Sequence, residues 1–420
     1  MTRMKILLMH YSAPPIIGGV ESVLGHHARL MSAAGHSVRI LAARGEPPSA
    51  AIELIRIPLA DSMHPEVLGV KQGLDAGRIP PEHHRLADAL AETVRAAAEG
   101  AGILIAHNVC SLNKNLALTE ALHRVYREPG FPRLILWHHD LAWTTPRYQT
   151  ELHAGRPWDL LRDAWSGAIH VAISELRRRE LSELTGVPSA AIRVIPNGIP
   201  TAQFLKLESQ TIRLVHELEL LQAAPLLLLP VRITPRKNLE YALRVMNCLR
   251  EDLPSAVLLV TGPLGAHNPD NWKYFGELRE LRRELGLEST VRFLAELEVD
   301  PLPDSGIADF YRLADALFLP SREEGFGLPL LEAGLAHRPV FCTDLPALRE
   351  LGGDSVTYFS PDEEPAKVAA KISTRLKSDP VSRLAERIRR EFDWDRIYRE
   401  QIGPLLEEAA QIPPEPGSES

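Results

Sequence analysis

Residues 320–336, PSREEGFGLPLLEAGLA, gather more chemistry-bearing groups than any other stretch of this 420-residue chain. Gly325 and Gly327 let the backbone turn tightly and bare its amides, and Pro329 suits the first turn of a helix. A helix starting there would aim its unpaired N–H groups at an anion. Glu324 precedes the turn and Glu332 lies eight residues later, where the backward tilt of helical side chains carries it toward the same end. Either carboxylate alone would read as an ordinary acid interacting with the helix dipole. Together, beside an anion-attracting terminus, they make sense as acceptors for sugar hydroxyls.

The segment EGFGLPLLE resembles the E-x7-E signature of the retaining glycosyltransferases of the GT-B fold, specifically the large GT4-like group. Further landmarks are similar to those of that family. Residues 231–238, VRITPRKN, resemble its G-R-L-x-x-x-K-[GN] segment, with Val231 in place of the usual Gly. The resemblance puts Arg232 and Lys237 on the diphosphate of a nucleoside diphosphate sugar. There two cations would stabilise the charge that accumulates on the leaving group in the transition state. Residues 14–21, PPIIGGVE, resemble the P-x-x-G-G-[VA]-E loop, whose Gly18 and Gly19 would approach the donor phosphates or the acceptor. Residues 137–141, WHHDL, are similar to T-x-H-D-L and put His139 on the family's active-site histidine, which hydrogen-bonds the donor sugar near its C6 hydroxyl. His107 and Asn108 match a less specific position and, with Asn197 of VIPNGI, are expected to meet the acceptor. Phe293 and Leu294 fall in the segment whose backbone meets the nucleobase. The resemblance further implies that Gly325, Phe326, Gly327 and Leu328 line the donor beside Glu324, on the sugar hydroxyls, and Glu332, on the ribose.

No metal is expected. The adjacent pairs His26–His27, His83–His84 and His138–His139 diverge on a helix or strand, unlike the i, i+4 spacing that aims two imidazoles at one zinc. Asp393-Trp394-Asp395 spells D-x-D but resembles the family's F-[SD]-W-[DE] segment, a helix start with Trp394 as packing.

These residues need elements to hold them, and short apolar runs alternating with longer amphipathic stretches supply a parallel α/β pattern. Strands are predicted near 5–10, 38–42, 52–57, 103–106, 134–137, 169–173 and 192–195, then near 226–231, 256–261, 291–294, 316–319, 340–342 and 355–359. Helical patterns cover 20–34, 85–98, 113–127 and 275–285, and 200–224 is weakly patterned. The fold expected is α/β of GT-B type: two Rossmann-like, doubly wound domains facing a central cleft. Its parts are an acceptor-binding domain over 1–205, a donor-binding domain over 206–388, a crossover helix over 389–410 packing on the first domain, and a disordered tail over 411–420. Such sheets bind ligands beyond the carboxyl ends of their strands. Residues 261–271 would form a longer loop than many members have, with His267, Asn268 and Asn271 capping the following helix.

A net charge of −8 with 45% hydrophobic and 24% charged residues speaks against both a basic nucleic-acid binder and an acidic disordered chain. Cys110, Cys248 and Cys342 show no metal-type or disulfide spacing, and no run is long enough to export or anchor the chain, so the cytoplasm is the expected compartment. The resemblance implies a metal-independent retaining hexosyltransferase with no cofactor, using GDP-mannose or UDP-glucose and a carbohydrate or small polyol acceptor. The rivals are a GT-B-fold sugar-nucleotide epimerase and a non-catalytic sugar-nucleotide sensor.

Overall fold

The computed structural model describes residues 3–264, 270–297 and 302–411. The chain divides into two compact units, Met1–Gly198 with Trp394–Ser420, and Ile199–Asp393.

The first unit is built on seven strands: β1 (Lys5–Met9), β2 (Ser37–Ala42), β3 (Glu53–Arg56), β4 (Ile103–His107), β5 (Arg133–His138), β6 (Ile169–Ala172) and β7 (Ile192–Val194). They pair in parallel in the order β3-β2-β1-β4-β5-β6-β7. The short apolar runs arise because both faces of this sheet are covered, so inward and outward residues alternate yet all are apolar. Leu7 and Met9 of β1 pack on the side of helices Pro81–Ala98 and Leu116–Val125. Ile6 and Leu8 pack on the opposite side, with helix Gly19–Ala33 and the returning segment from Trp394. That segment contributes Trp394, Ile397, Tyr398, Ile402, Leu405, Leu406 and Ala409, and includes a π-helical turn over Tyr398–Ile402. The D-x-D string is thus a helix start, with Trp394 almost wholly buried.

The second unit has six strands: β8 (Leu226–Leu229), β9 (Val257–Val260), β10 (Val291–Phe293), β11 (Ala316–Leu319), β12 (Val340–Thr343) and β13 (Thr357–Phe359). These are also all parallel, in the order β10-β9-β8-β11-β12-β13. A single apolar core surrounds the sheet. Each unit therefore has the doubly wound order of a Rossmann fold, with its topological switch point between β1 and β4 in the first and between β8 and β11 in the second.

Several elements depart from the sequence reading. A helix over Pro65–Asp75 was not predicted, and the weakly patterned stretch holds helices Thr201–Phe204 and Ser209–Glu217. The second unit takes over at Ile199 rather than 206, because the Ile199 amide donates to the carbonyl of Phe392 at 2.7 Å. Helix Pro380–Glu391 stays with the second unit, so the return begins at Trp394 rather than 389. The helix expected from Phe275 starts at Asp270. Asn271 lies inside it and is buried, whereas His267 and Asn268 fall outside the described residues, as does the tail over 412–420.

Candidate active site

In the second unit the catalytic-looking residues converge on the switch point. Lys237 follows β8 and Glu324 follows β11, 87 residues later, yet the Lys237 ammonium lies 2.5 Å from Glu324 Oε1. Both side chains are about nine-tenths buried, so this is a preformed pair rather than two solvated charges. Ser321 Oγ donates to the same oxygen at 2.7 Å, and Thr343 Oγ1 fixes the Ser321 carbonyl at 2.6 Å. Such a partly desolvated pair holds its geometry well, and removing either partner strands the other.

Arg232 is exposed, and among the described residues its guanidinium has no hydrogen-bond or ion-pair partner. What is fixed is its backbone. A Cβ on Gly262, which follows β9, would come within 1.9 Å of the Val231 carbonyl oxygen and 2.6 Å of the Arg232 nitrogen. Glycine at 262 is thus what lets the Val231–Arg232 peptide settle against the neighbouring strand end, and the Ile233 amide then donates to the Pro263 carbonyl at 3.0 Å. Val231 is itself buried in the core of this unit.

Gly327 caps helix Leu328–Leu335 at φ 107°, a left-handed conformation that disfavours any side chain. Gly325 has open space around it, and Phe326 and Leu328 are exposed. Glu332, on that helix, accepts a 2.6 Å hydrogen bond from the hydroxyl of Tyr311, a buried residue of helix Asp304–Leu313. Burial, reinforced by this carboxylate, pushes the Tyr311 hydroxyl well above its usual range, so it remains a donor. Phe293 and Leu294 are buried, with the Phe293 ring edge-on to Phe275, leaving only their backbone for a ligand.

The first unit assembles a different set at its own switch point. His10 follows β1, His107 closes β4, and His138 and His139 follow one another at the end of β5. His139 is 5% exposed, and its Nε2 lies 3.1 Å from His107 Nδ1. Its amide donates to Asn108 Oδ1 at 2.7 Å, and the Asp140 amide reaches the same oxygen at 3.2 Å. Asn108 itself sits at φ 56°. The His10 Nδ1–H donates to the His107 carbonyl at 2.8 Å. His27 is enclosed beside them, its ring packed against His107, Trp137 and Trp394. Burial drives His27 and His139 down to about 3 and holds His107 and His138 well below the usual histidine range, so all four are neutral.

His107 and Asn108 were expected to touch the acceptor. His107 is 0% exposed, and the Asn108 carboxamide oxygen is already committed to two amides, so both hold His139 from behind instead. Asn197 follows β7 with its Oδ1 enclosed and unpartnered.

Gly18 and Gly19 differ. A Cβ on Gly18 would come within 1.9 Å of Glu21 Oε2, whereas one on Gly19 would meet nothing within 4 Å. The reason for Gly18 is the Glu21 carboxylate folded back beside it, where Oε1 accepts from Ser12 Oγ at 2.6 Å and stands 3.8 Å from His10 Nε2. The His10 ring and, more weakly, the Ser12 hydroxyl hold the Glu21 carboxyl at about 2 against the opposing effect of burial. His10, Glu21, Ser321 and Tyr311 were not singled out from sequence. Glu21 carried a signal as the last position of the P-x-x-G-G-[VA]-E match, and His10 and Ser321 carried one because each stands just beyond a strand flanking a switch point.

Among the described residues no group of three or more His, Cys, Asp or Glu side chains is arranged to hold a metal, and no helix is long and apolar enough to cross a membrane.

A "D-inositol 3-phosphate glycosyltransferase" of Kineococcus radiotolerans is 31% identical over 231 residues, 51% of this chain and 50% of that protein. A protein of the same name from Acidothermus cellulolyticus is 27% identical over 76% of this chain and 65% of its own length. The "Mannosylglucosylglycerate synthase" of Petrotoga mobilis is 25% identical over 59% and 60%. The chain spans about half the length of the first curated relatives it matches. Among solved structures, sucrose-phosphate synthase from Thermosynechococcus elongatus aligns over 97% of this chain and 99% of its own, at 19% identity and a TM-score of 0.37. The family model "Glycosyltransferase Family 4" matches residues 17–203, within the seven-stranded unit, and "Glycosyl transferases group 1" matches residues 216–391, within the six-stranded one. With both models in place, one on each doubly wound unit, the chain belongs to the glycosyltransferases of family 4.

Proposed function

We propose that this chain is a metal-independent retaining hexosyltransferase that uses a nucleoside diphosphate sugar. The observation that carries the reading is the buried Lys237–Glu324 pair across the β8/β11 switch point. In this reading the ammonium serves the leaving diphosphate and the carboxylate beside it the sugar hydroxyls, and Arg232 adds an unpartnered guanidinium on the same strand-end loop. As the bond from the anomeric carbon to the diphosphate breaks, these cations stabilise the charge gained by the phosphate oxygen. The acceptor hydroxyl forms the new bond on the same face, and its proton passes to the leaving phosphate. No side chain then has to act as a strong base, which fits a first unit whose His139 is held neutral by burial and whose Glu21 is held far below neutral pH.

Glu332 takes the ribose and His139 the donor sugar. The acceptor is a carbohydrate or small polyol, a choice supported by relatives named for D-inositol 3-phosphate and mannosylglucosylglycerate. GDP-mannose and UDP-glucose are the donors proposed. A thermal-shift panel of GDP-, UDP- and ADP-sugars tests this, because a ligand bound only by the native state raises its melting temperature. One nucleotide class should stabilise the protein in the presence of EDTA. No shift with any of them, or one that appears only with Mn²⁺, would count against the reading.

A further inference from the structure

The pair His107 Nδ1 and His139 Nε2, 3.1 Å apart, shares one proton between two nitrogens, and which nitrogen owns it decides what His139 offers to a ligand. Both rings are enclosed, so neither carries a second proton. If His139 Nε2–H were the donor, the proton of neutral His107 would sit on its Nε2. That atom is buried with no hydrogen-bond partner; the neighbouring rings are those of Trp137, stacked at 30°, and His27, tilted at 55°. An enclosed N–H without an acceptor is the rarer kind of unmet group and costs stability. If instead His107 Nδ1–H is the donor, only a lone pair is left unmet at His107 Nε2.

We infer that His107 donates its Nδ1–H to His139 Nε2 and thereby sets His139 in the Nδ1–H tautomer, so that His139 presents a hydrogen-bond donor to an oxygen of the bound substrate. His107 is a positioning residue, and the arrangement extends one step further back. A carbonyl can only accept, so His10 also carries its proton on Nδ1, which it gives to the His107 carbonyl. His107 and His139 thus stand in the tautomer that free imidazole disfavours, the second set by the first, while the His10 Nδ1–H meets the main chain of His107. Asn108 fixes the His139 main chain while His107 fixes its ring.

The statement about substrate rests on the transferase reading; the statement about tautomers does not. The test is long-range ¹H–¹⁵N correlation on the full chain labelled in histidine, with His139 and His107 identified by loss of their signals in His139→Gln and His107→Asn. A pyrrole-type Nδ1 and pyridine-type Nε2 at both rings is the expected result, and a pyridine-type Nδ1 at His139 overturns the inference. In His107→Leu, His139 should revert to Nε2–H and transfer should fall roughly ten- to a hundredfold, as when other orienting partners of a functional imidazole are lost. His107→Asn, whose side-chain amide can take the place of Nδ1–H, should recover part of the rate. If His107→Leu fails to fold, the wild-type spectrum still decides. Nδ1–H tautomers in a chain that transfers no sugar would sink the function and leave the inference standing; transfer with Nε2–H at His139 would do the reverse.

Discussion

The two units share a topology but equip their switch points in opposite ways. In the six-stranded unit the strand ends hold opposite charges in contact, Lys237 against Glu324, with a serine and a threonine locking the carboxylate. In the seven-stranded unit the equivalent strand ends hold imidazoles, His10, His107 and His139, of which His107 and His139 are buried and neutral, with His27 packed beside them. The first arrangement suits a ligand with large fixed negative charge, because an ammonium held by a buried carboxylate keeps its place. The second suits an uncharged, hydroxyl-rich ligand that is read by the direction of hydrogen bonds. One scaffold serves both since a switch point specifies only where strand ends diverge, not what stands on them.

The contrast is broken most severely at Lys237. Lys237→Ala should reduce transfer by ~10²-fold or more, and it should also destabilise the second unit, because Glu324 is left as an uncompensated, mostly buried charge. Pairing it with Glu324→Gln should restore the melting temperature without restoring the rate. If initial rates for the single variant stay within about threefold of wild type, the diphosphate role is wrong.

Acid should separate the units next. His27 and His139 fall to about 3 in the folded state against about 6.5 unfolded, and His107 and His138 shift the same way. The unfolded chain therefore binds more protons as pH drops. The stabilisation is complete above pH ~6.5 and declines as pH falls through that value toward 3, by up to about 1.4 kcal/mol per pH unit for each such histidine. The described histidines of the second unit, His216 and His337, are exposed. Melting followed by near-UV circular dichroism from pH 7.5 to 4.5 should show the first unit losing stability earlier. Equal slopes for both units would contradict the neutral-histidine account.

Glycine substitutions grade the same comparison more finely. Gly262→Ala sets a Cβ against rigid backbone and should cost the second unit about 1–3 kcal/mol. Gly18→Ala meets only the flexible end of Glu21 and should cost less, while displacing that carboxylate. Gly19→Ala has open space at the start of a helix and should be neutral or mildly stabilising. Denaturant midpoints in any other order would refute this ranking.

The smallest effect is expected at Tyr311. Tyr311→Phe removes one hydrogen bond to Glu332 and should raise the donor KM about three- to tenfold with little change in kcat, the size of a typical net hydrogen bond. A 2′,3′-dideoxyribose donor should be insensitive to the substitution. If its KM rises as much as that of the natural donor, Tyr311 is not acting through the ribose.

What the sequence disclosed follows from these same physical causes. The thirteen strands were legible because a parallel sheet covered on both faces demands uninterrupted apolar runs, and Ile6–Leu7–Leu8 meets two cores at once. Helix Pro65–Asp75 was not legible: it buries only Val67, Val70, Gly73 and Leu74, a single stripe in a short polar stretch. Glu324 and Glu332 were legible as a local spacing, but the partners that hold them, Lys237 at 87 residues and Tyr311 at 21, are set by tertiary packing alone. His107 and Asn108 were found but given the wrong task, because pattern shows that a residue follows a strand and not whether its neighbours enclose it.

One consequence of the returning segment concerns synthesis. The residues that complete the Ile6–Leu8 face, Trp394 to Ala409, are translated nearly four hundred residues after the strand they cover. The second unit is one uninterrupted stretch, Ile199–Asp393, and can close its core while the first still exposes an apolar face. The domain made first is therefore finished last, and during that interval its uncovered apolar face is the one open to aggregation.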